Sequence, residues 1–118
     1  MTLLPAKAQF DAGPSQPSLR MADQQMAQGN YANAMQILLP MLQGGSLEVD
    51  VLDRAATCYY SLGDSNTAIS LMEFVTQNWP KLDKGWGKLA AMKQTAGDVD
   101  AAVDCYKQAL KLNPKSAN

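Results

Sequence analysis

Apolar residues recur at helical spacing in paired stripes along most of this chain. Trp86, Leu89 and Met92 share one face of a helix predicted over 84–95, and Ala102, Tyr106, Ala109 and Leu110 recur at i, i+4, i+7 and i+8 on the next. Between them, Ala96-Gly97-Asp98 is a stop and a start. Gly97 takes the left-handed conformation of a helix C-terminus, and Asp98 offers its carboxylate to the first free amides of the second helix. Pro114 prevents that helix from continuing. The middle of the chain repeats the plan: Leu52, Ala55, Ala56 and Tyr59, a turn at Gly63-Asp64, then Ala68, Leu71, Met72 and Val75, ended by Pro80. The first pair is more degenerate, with Leu19, Ala22 and Met26, a turn at Gly29-Asn30, and a return through Ala34, Ile37, Leu38 and Met41. Pro40 falls inside that return helix and is expected to kink it, and Gly44-Gly45 ends it.

The three pairs keep a common interval. Gly29, Gly63 and Gly97 lie 34 residues apart, an alanine follows each five residues later, and Pro80 and Pro114 keep the same spacing. A fixed period of this length marks a stack of like units. The small residue at 34, 68 and 102 lets the two helices of a unit approach closely, and the large residues beside it fill the gap. Helix pairs of this size cannot bury their apolar faces alone, and about three are needed for stability. Residues 1–17, with Pro5, Gly13, Pro14 and Pro17 and no sustained period, read as a flexible arm before a repeat domain over 18–118.

Composition narrows the chemistry. The 118 residues suit one domain, and 47% hydrophobic against 18% charged is enough apolar material for a core. There is no histidine, which removes the commonest metal ligand and the commonest acid–base catalyst near neutral pH. Cys58 and Cys105 belong to no close-spaced ligand motif and read as small buried thiols of a reducing, cytoplasmic setting. The N-terminus lacks the pattern of a secretory signal, and no stretch approaches the ~20 apolar residues of a membrane span. Net charge is −1, but residues 1–80 hold three basic against seven acidic side chains, and 81–118 hold seven lysines against four aspartates. No arginine cluster or basic–aromatic stripe accompanies this polarity, so nucleic acid is not an expected partner. Asp50 with Asp53 and Asp98 with Asp100 are the close-spaced carboxylates. They read as helix caps and first-turn residues favoured by the helix dipole, without a third ligand or a phosphate loop, so no catalytic residue, metal or cofactor is expected.

The pattern resembles the tetratricopeptide repeat, a 34-residue helix–turn–helix, with units at about 15–48, 49–82 and 83–116. In the last unit the family's motif positions fall on Trp86, Leu89, Gly97, Ala102, Tyr106, Ala109 and Pro114, with Ala90 and Lys93 departing from it. The second unit supplies Ala56, Tyr59, Gly63, Ala68 and Pro80, and the first keeps Gly29 and Ala34. The resemblance implies an all-α, right-handed superhelical solenoid and a non-enzymatic protein-binding role. It also implies a concave groove lined by the first helix of each unit. Carried onto this sequence, the groove positions are Leu19, Asp23 and Met26, then Asp50, Asp53, Thr57 and Tyr60, then Lys84, Gly87, Ala91 and Gln94. Gly87 and Ala91, four apart, are expected to leave a dent for a ligand side chain.

Family members that grip acidic chaperone tails use basic and amide residues at positions that here are Leu19, Asp23, Arg54, Lys84 and Lys88, so that clamp is broken. Small three-repeat members are similar to the cytoplasmic chaperones of bacterial type III secretion, which implies a protein or peptide partner held as by a chaperone or adaptor. The alternative is a scaffold that self-associates or joins a hetero-complex through an uncapped C-terminal edge at Val103, Tyr106 and Leu110.

Overall fold

A computed structural model describes residues 17–44 and 47–115, so the expected arm up to residue 16 and Gly45 lie outside the described residues. The described residues form six helices and no strand: α1 (Pro17–Ala27), α2 (Tyr31–Gln43), α3 (Val49–Ser61), α4 (Ser65–Asn78), α5 (Asp83–Thr95) and α6 (Val99–Leu112). α1 begins at Pro17, one residue before the expected domain start, with proline at a first helical position that needs no amide. Consecutive helices pack on one another, which makes the fold an all-α helical-repeat solenoid.

The three turns are built alike. Gly29, Gly63 and Gly97 have φ of 82°, 96° and 93°, the left-handed region that favours glycine. Each turn closes with the two hydrogen bonds of a Schellman motif. The inner ones run from Gly29 N to Met26 O (3.0 Å), Gly63 N to Tyr60 O (3.1 Å) and Gly97 N to Gln94 O (3.0 Å). The outer ones run from Asn30 N to Gln25 O (2.8 Å), Asp64 N to Tyr59 O (2.8 Å) and Asp98 N to Lys93 O (2.9 Å). The expected aspartate caps form: Asp64 accepts from Thr67 N at 3.2 Å and Asp98 from Ala101 N at 3.3 Å. Asn30 makes no such cap, in keeping with its degenerate unit, and its amide donates to Gln28 instead. α2 runs on through Pro40 to Gln43, with the proline on an exposed position and Gly44 N bonding back to its carbonyl.

Ala34, Ala68 and Ala102, the small residues at the crossing of each pair, are all buried. Around the first junction pack Leu19, Ala22, Met35, Leu38, Val51, Ala55 and Cys58. Around the second pack Leu52, Ala56, Met72, Val75, Leu89, Ala90, Met92 and Cys105. Leu42, Tyr59 and Leu71 touch both groups, so the core is continuous from unit to unit. The linker between the second and third units is fixed by Trp86, whose indole N–H donates to the Pro80 carbonyl at 2.8 Å.

Two glycines separate turn chemistry from surface. Gly63→Ala places a Cβ in the left-handed region and is expected to cost about 1–2 kcal/mol. Gly87 lies inside α5 with nothing within 4 Å of an added Cβ, so Gly87→Ala is expected to stabilise by about 0.5–1 kcal/mol. Opposite shifts of the urea midpoint verify the pair.

Candidate functional site

α1, α3 and α5, the first helices of the three units, are tied together by ion pairs between successive units. Arg54 on α3 reaches Asp23 on α1 through two parallel bonds, Nε to Oδ1 at 2.6 Å and Nη2 to Oδ2 at 3.0 Å, while Nη1 donates to the Asp50 carbonyl at 2.9 Å. The hydrogen bond to Asp23 raises the guanidinium pKa further. Lys88 on α5 repeats the reach onto α3: Nζ donates to Asp53 Oδ1 at 2.8 Å, to the Asp53 carbonyl at 3.1 Å and to Thr57 Oγ1. All three ammonium protons of Lys88 are thereby engaged. Arg54 and Lys88 are 34 residues apart, and Arg20 stands 34 before Arg54, a second period in the chain beside that of the glycines.

A cleft of about 260 Å³ opens between α3 and α5 beyond the Lys88 link. Tyr60, Ala91, Met92 and Thr95 line it, with Thr57 and Lys88 at one end, and its surface is mostly apolar. A smaller recess of about 170 Å³, touched by Asp50, Asp53 and Lys84, lies on the other side of the link. The Lys88–Asp53–Thr57 cluster thus divides the groove into two compartments.

The expected groove residues divide accordingly. Thr57, Tyr60 and Ala91 come together in the main cleft, and Lys84 and Asp53 in the smaller one. Asp23 is committed to Arg54, and Met26 is half-buried against the first core group. Leu19 corrects the expectation. It is fully buried among Ala22, Leu38 and Val51, because the stripe it forms with Ala22 faces α2 and α3, so it is core and no groove wall. Gly87 lines a recess with Asp83, Lys84, Lys88, Tyr106, Asn113 and Lys115, and nothing lies within 4 Å of a Cβ added there. Gln94 accepts a hydrogen bond from the Tyr106 hydroxyl at 3.3 Å. At the C-terminal edge Val103 and Leu110 are 44% and 39% exposed, whereas Tyr106 is half-buried and packs on the core.

Sequence reasoning missed Lys88, Met92 and Thr95 as cleft residues. The available signals were the 34-residue step from Arg54 and the position of Thr95 one turn beyond Ala91. It also left Lys93 unexplained. Its ammonium meets Glu73 of α4 at 2.9 Å, and that bond raises the lysine pKa. The carboxylates have structural partners: Asp98 caps α6 and Asp53 binds Lys88, the latter a role beyond the helix dipole. Among the described residues no three His, Cys, Asp or Glu side chains gather as a metal site.

Comparison with known proteins fits this geometry. Family models described as tetratricopeptide repeat match residues 50–81 and 84–116. The chain belongs to the tetratricopeptide repeat family. The matches fall on the second and third units, and the first helix pair supplies the same architecture without one. Among solved structures, the crystal structure of MamA has a TM-score of 0.76 and 15% identity to this chain, covering 92% of this chain and 64% of MamA. This chain therefore spans less than two thirds of MamA, and the likeness shows the fold alone. No curated protein matches the sequence. Tetratricopeptide repeats in general mediate protein–protein interaction.

Two measurements check the site's electrostatics. A double-mutant cycle on Arg54→Met and Asp23→Asn should give a coupling of about 0.5–1 kcal/mol in urea denaturation, because Asp23 remains half-exposed. Burial pushes the thiols of Cys58 and Cys105 up. Both should resist iodoacetamide at neutral pH until the chain unfolds. With folded values above unfolded ones, their contribution to stability is complete below the ordinary thiol range and is lost as pH rises through the raised values.

Proposed function

We propose that this chain is a non-enzymatic adaptor that holds an extended or helical segment of another polypeptide along the face of α1, α3 and α5. The cleft between α3 and α5 carries the reading. Its volume of about 260 Å³ is below the ~300–1,000 Å³ of small-molecule sites and suits one large apolar side chain. Tyr60 supplies an aromatic wall with a polar tip, and Met92 supplies an adaptable thioether. The flanking polar groups of Asp53, Thr57 and Lys88 bond to one another, so they frame the cleft without offering unpaired charge.

That arrangement favours an apolar anchor over an acidic tail. Of the three basic residues at clamp positions, Arg54 and Lys88 are already neutralised by Asp23 and Asp53. At those two positions a free carboxylate would have to displace a partner held within the same chain. The finer form of the proposal is a cytoplasmic chaperone that cradles an aggregation-prone partner, like those of type III secretion. The three-unit stack and the methionine-bearing groove support it, and no described helix is long and apolar enough to cross a membrane.

The test begins with affinity purification from the native source and identification of the co-purifying segment by mass spectrometry. Tyr60→Ala and Ala91→Arg should each weaken binding of that segment about tenfold or more, the scale expected for one lost apolar anchor. Circular dichroism should remain helical in both. Unchanged affinity in both variants would falsify the groove as the working site.

A further inference from the structure

The recess of about 170 Å³ between α3 and α5 differs in charge from the main cleft. Asp50, Asp53 and Lys84 line it, and Asp53 is held by Lys88 at 2.8 Å. Asp50 and Lys84 make no side-chain hydrogen bond and no ion pair with a described residue. Arg54, whose pKa is raised first by its hydrogen bond to Asp23 and less by the charge of Asp50, bonds to the Asp50 carbonyl and not to its carboxylate. Asp83 lies outside this recess and accepts from Asn113 Nδ2 at 3.2 Å. An acid on one helix and a base on the next thus border the same recess, and neither is matched.

Helix stability does not account for the pair. Asp50 and Lys84 lie 34 residues apart, as the second residues of α3 and α5. An acid in a first turn complements the helix dipole, whereas a lysine opposes it. The rest of the recess is mostly apolar, with Val49 of α3 and Leu82 before α5 among its walls. Such a recess sorts side chains by charge. A carboxylate that meets Lys84 also meets Asp50, and a basic group that meets Asp50 also meets Lys84. An aliphatic side chain takes water from both charges and returns no hydrogen bond. A primary carboxamide avoids all three penalties: its N–H bonds donate to Asp50, its carbonyl oxygen accepts from Lys84, and its methylenes lie along Val49 and Leu82.

We infer that the small recess is a subsite for a glutamine or asparagine of the bound segment, and that Asp50 and Lys84 select it against charged residues. The inference rests on the reading of this face as a peptide groove and adds a second anchor to the one in the main cleft. The two compartments set the spacing. Along α3 the recess residues Val49, Asp50 and Asp53 lie about eight residues before Thr57, Tyr60 and Ser61, which is about 12 Å of helix. The amide and the apolar anchor are therefore about four residues apart in an extended segment, or about eight in a helical one. An acidic tail, disfavoured at the paired Arg54 and Lys88, meets Asp50 even where it reaches Lys84.

Random peptides of twelve residues, displayed on phage and selected on the full chain, test this. Selected sequences should carry a large apolar residue and, at that spacing, a glutamine or asparagine. In synthetic peptides of those sequences, replacing the amide residue by glutamate or by lysine should each weaken binding about tenfold. Asp50→Asn should make glutamate the better of the two replacements, and Lys84→Gln should make lysine the better, with both variants helical by circular dichroism. The penalties should shrink at about 0.5 M salt. Peptides that need Tyr60 but bind equally well with the amide, glutamate or lysine, or better with a charge, overturn the inference and leave the groove reading standing. So do charge preferences that stay the same in both variants. If no peptide is selected, or Tyr60→Ala leaves the binding of all of them unchanged, the groove reading fails and this inference with it.

Discussion

The structure depends on one requirement: the apolar face that a helix pair leaves open has to be covered by the first helix of the next pair. Within a unit the alanine at 34, 68 or 102 brings two helices together, yet this buries only one side of the second helix. Met35 and Leu38 are shielded because α3 lies over them, and Met72 and Thr76 because α5 does. A fully buried methionine or leucine is worth about 1.5–3 kcal/mol, so each junction supplies several such increments from a few side chains. The glycine turns serve this requirement. With φ near +90° and paired Schellman bonds they return the chain antiparallel within a few residues, and all three units present their open faces in the same direction.

Over this apolar stack lies a polar layer that repeats with the same period. Arg54 and Lys88 stitch each first helix to the one before it, at the border of the groove. Such part-exposed pairs add little stability. Their larger effect is on chemistry, because they consume the charges that a groove would otherwise turn toward a ligand. What remains accessible is the apolar pocket at Tyr60, Ala91 and Met92. The same side chains that fix the spacing of α1, α3 and α5 therefore also decide what kind of anchor the groove accepts.

What was legible in the sequence follows from the range of the interactions. Turns and stripes are local, so Gly97, Asp98 and the Ala102–Tyr106–Ala109 face appear in the structure as expected. Leu19 fitted two patterns at once, the buried stripe with Ala22 and a groove position carried over from the family. Burial prevails because α1 turns that stripe onto α2 and α3. The pairs Arg54–Asp23 and Lys88–Asp53 join residues 31 and 35 apart on separate helices, and only the packing of α1, α3 and α5 brings them together.

The two periods, glycine and base, diverge at the third unit, and this says which constraint is the deeper one. The glycine, alanine and proline positions persist through Gly97, Ala102 and Pro114, because any helix pair needs a turn and a close crossing whatever covers it. The acid that receives the next basic residue does not persist: Gly87 and Ala91 stand where Asp53 and Thr57 stood. What the third unit keeps is what any helix pair needs in order to form, and what it lacks is the counterpart of the carboxylate by which Asp53 holds Lys88, so the polar layer is the freer of the two periods.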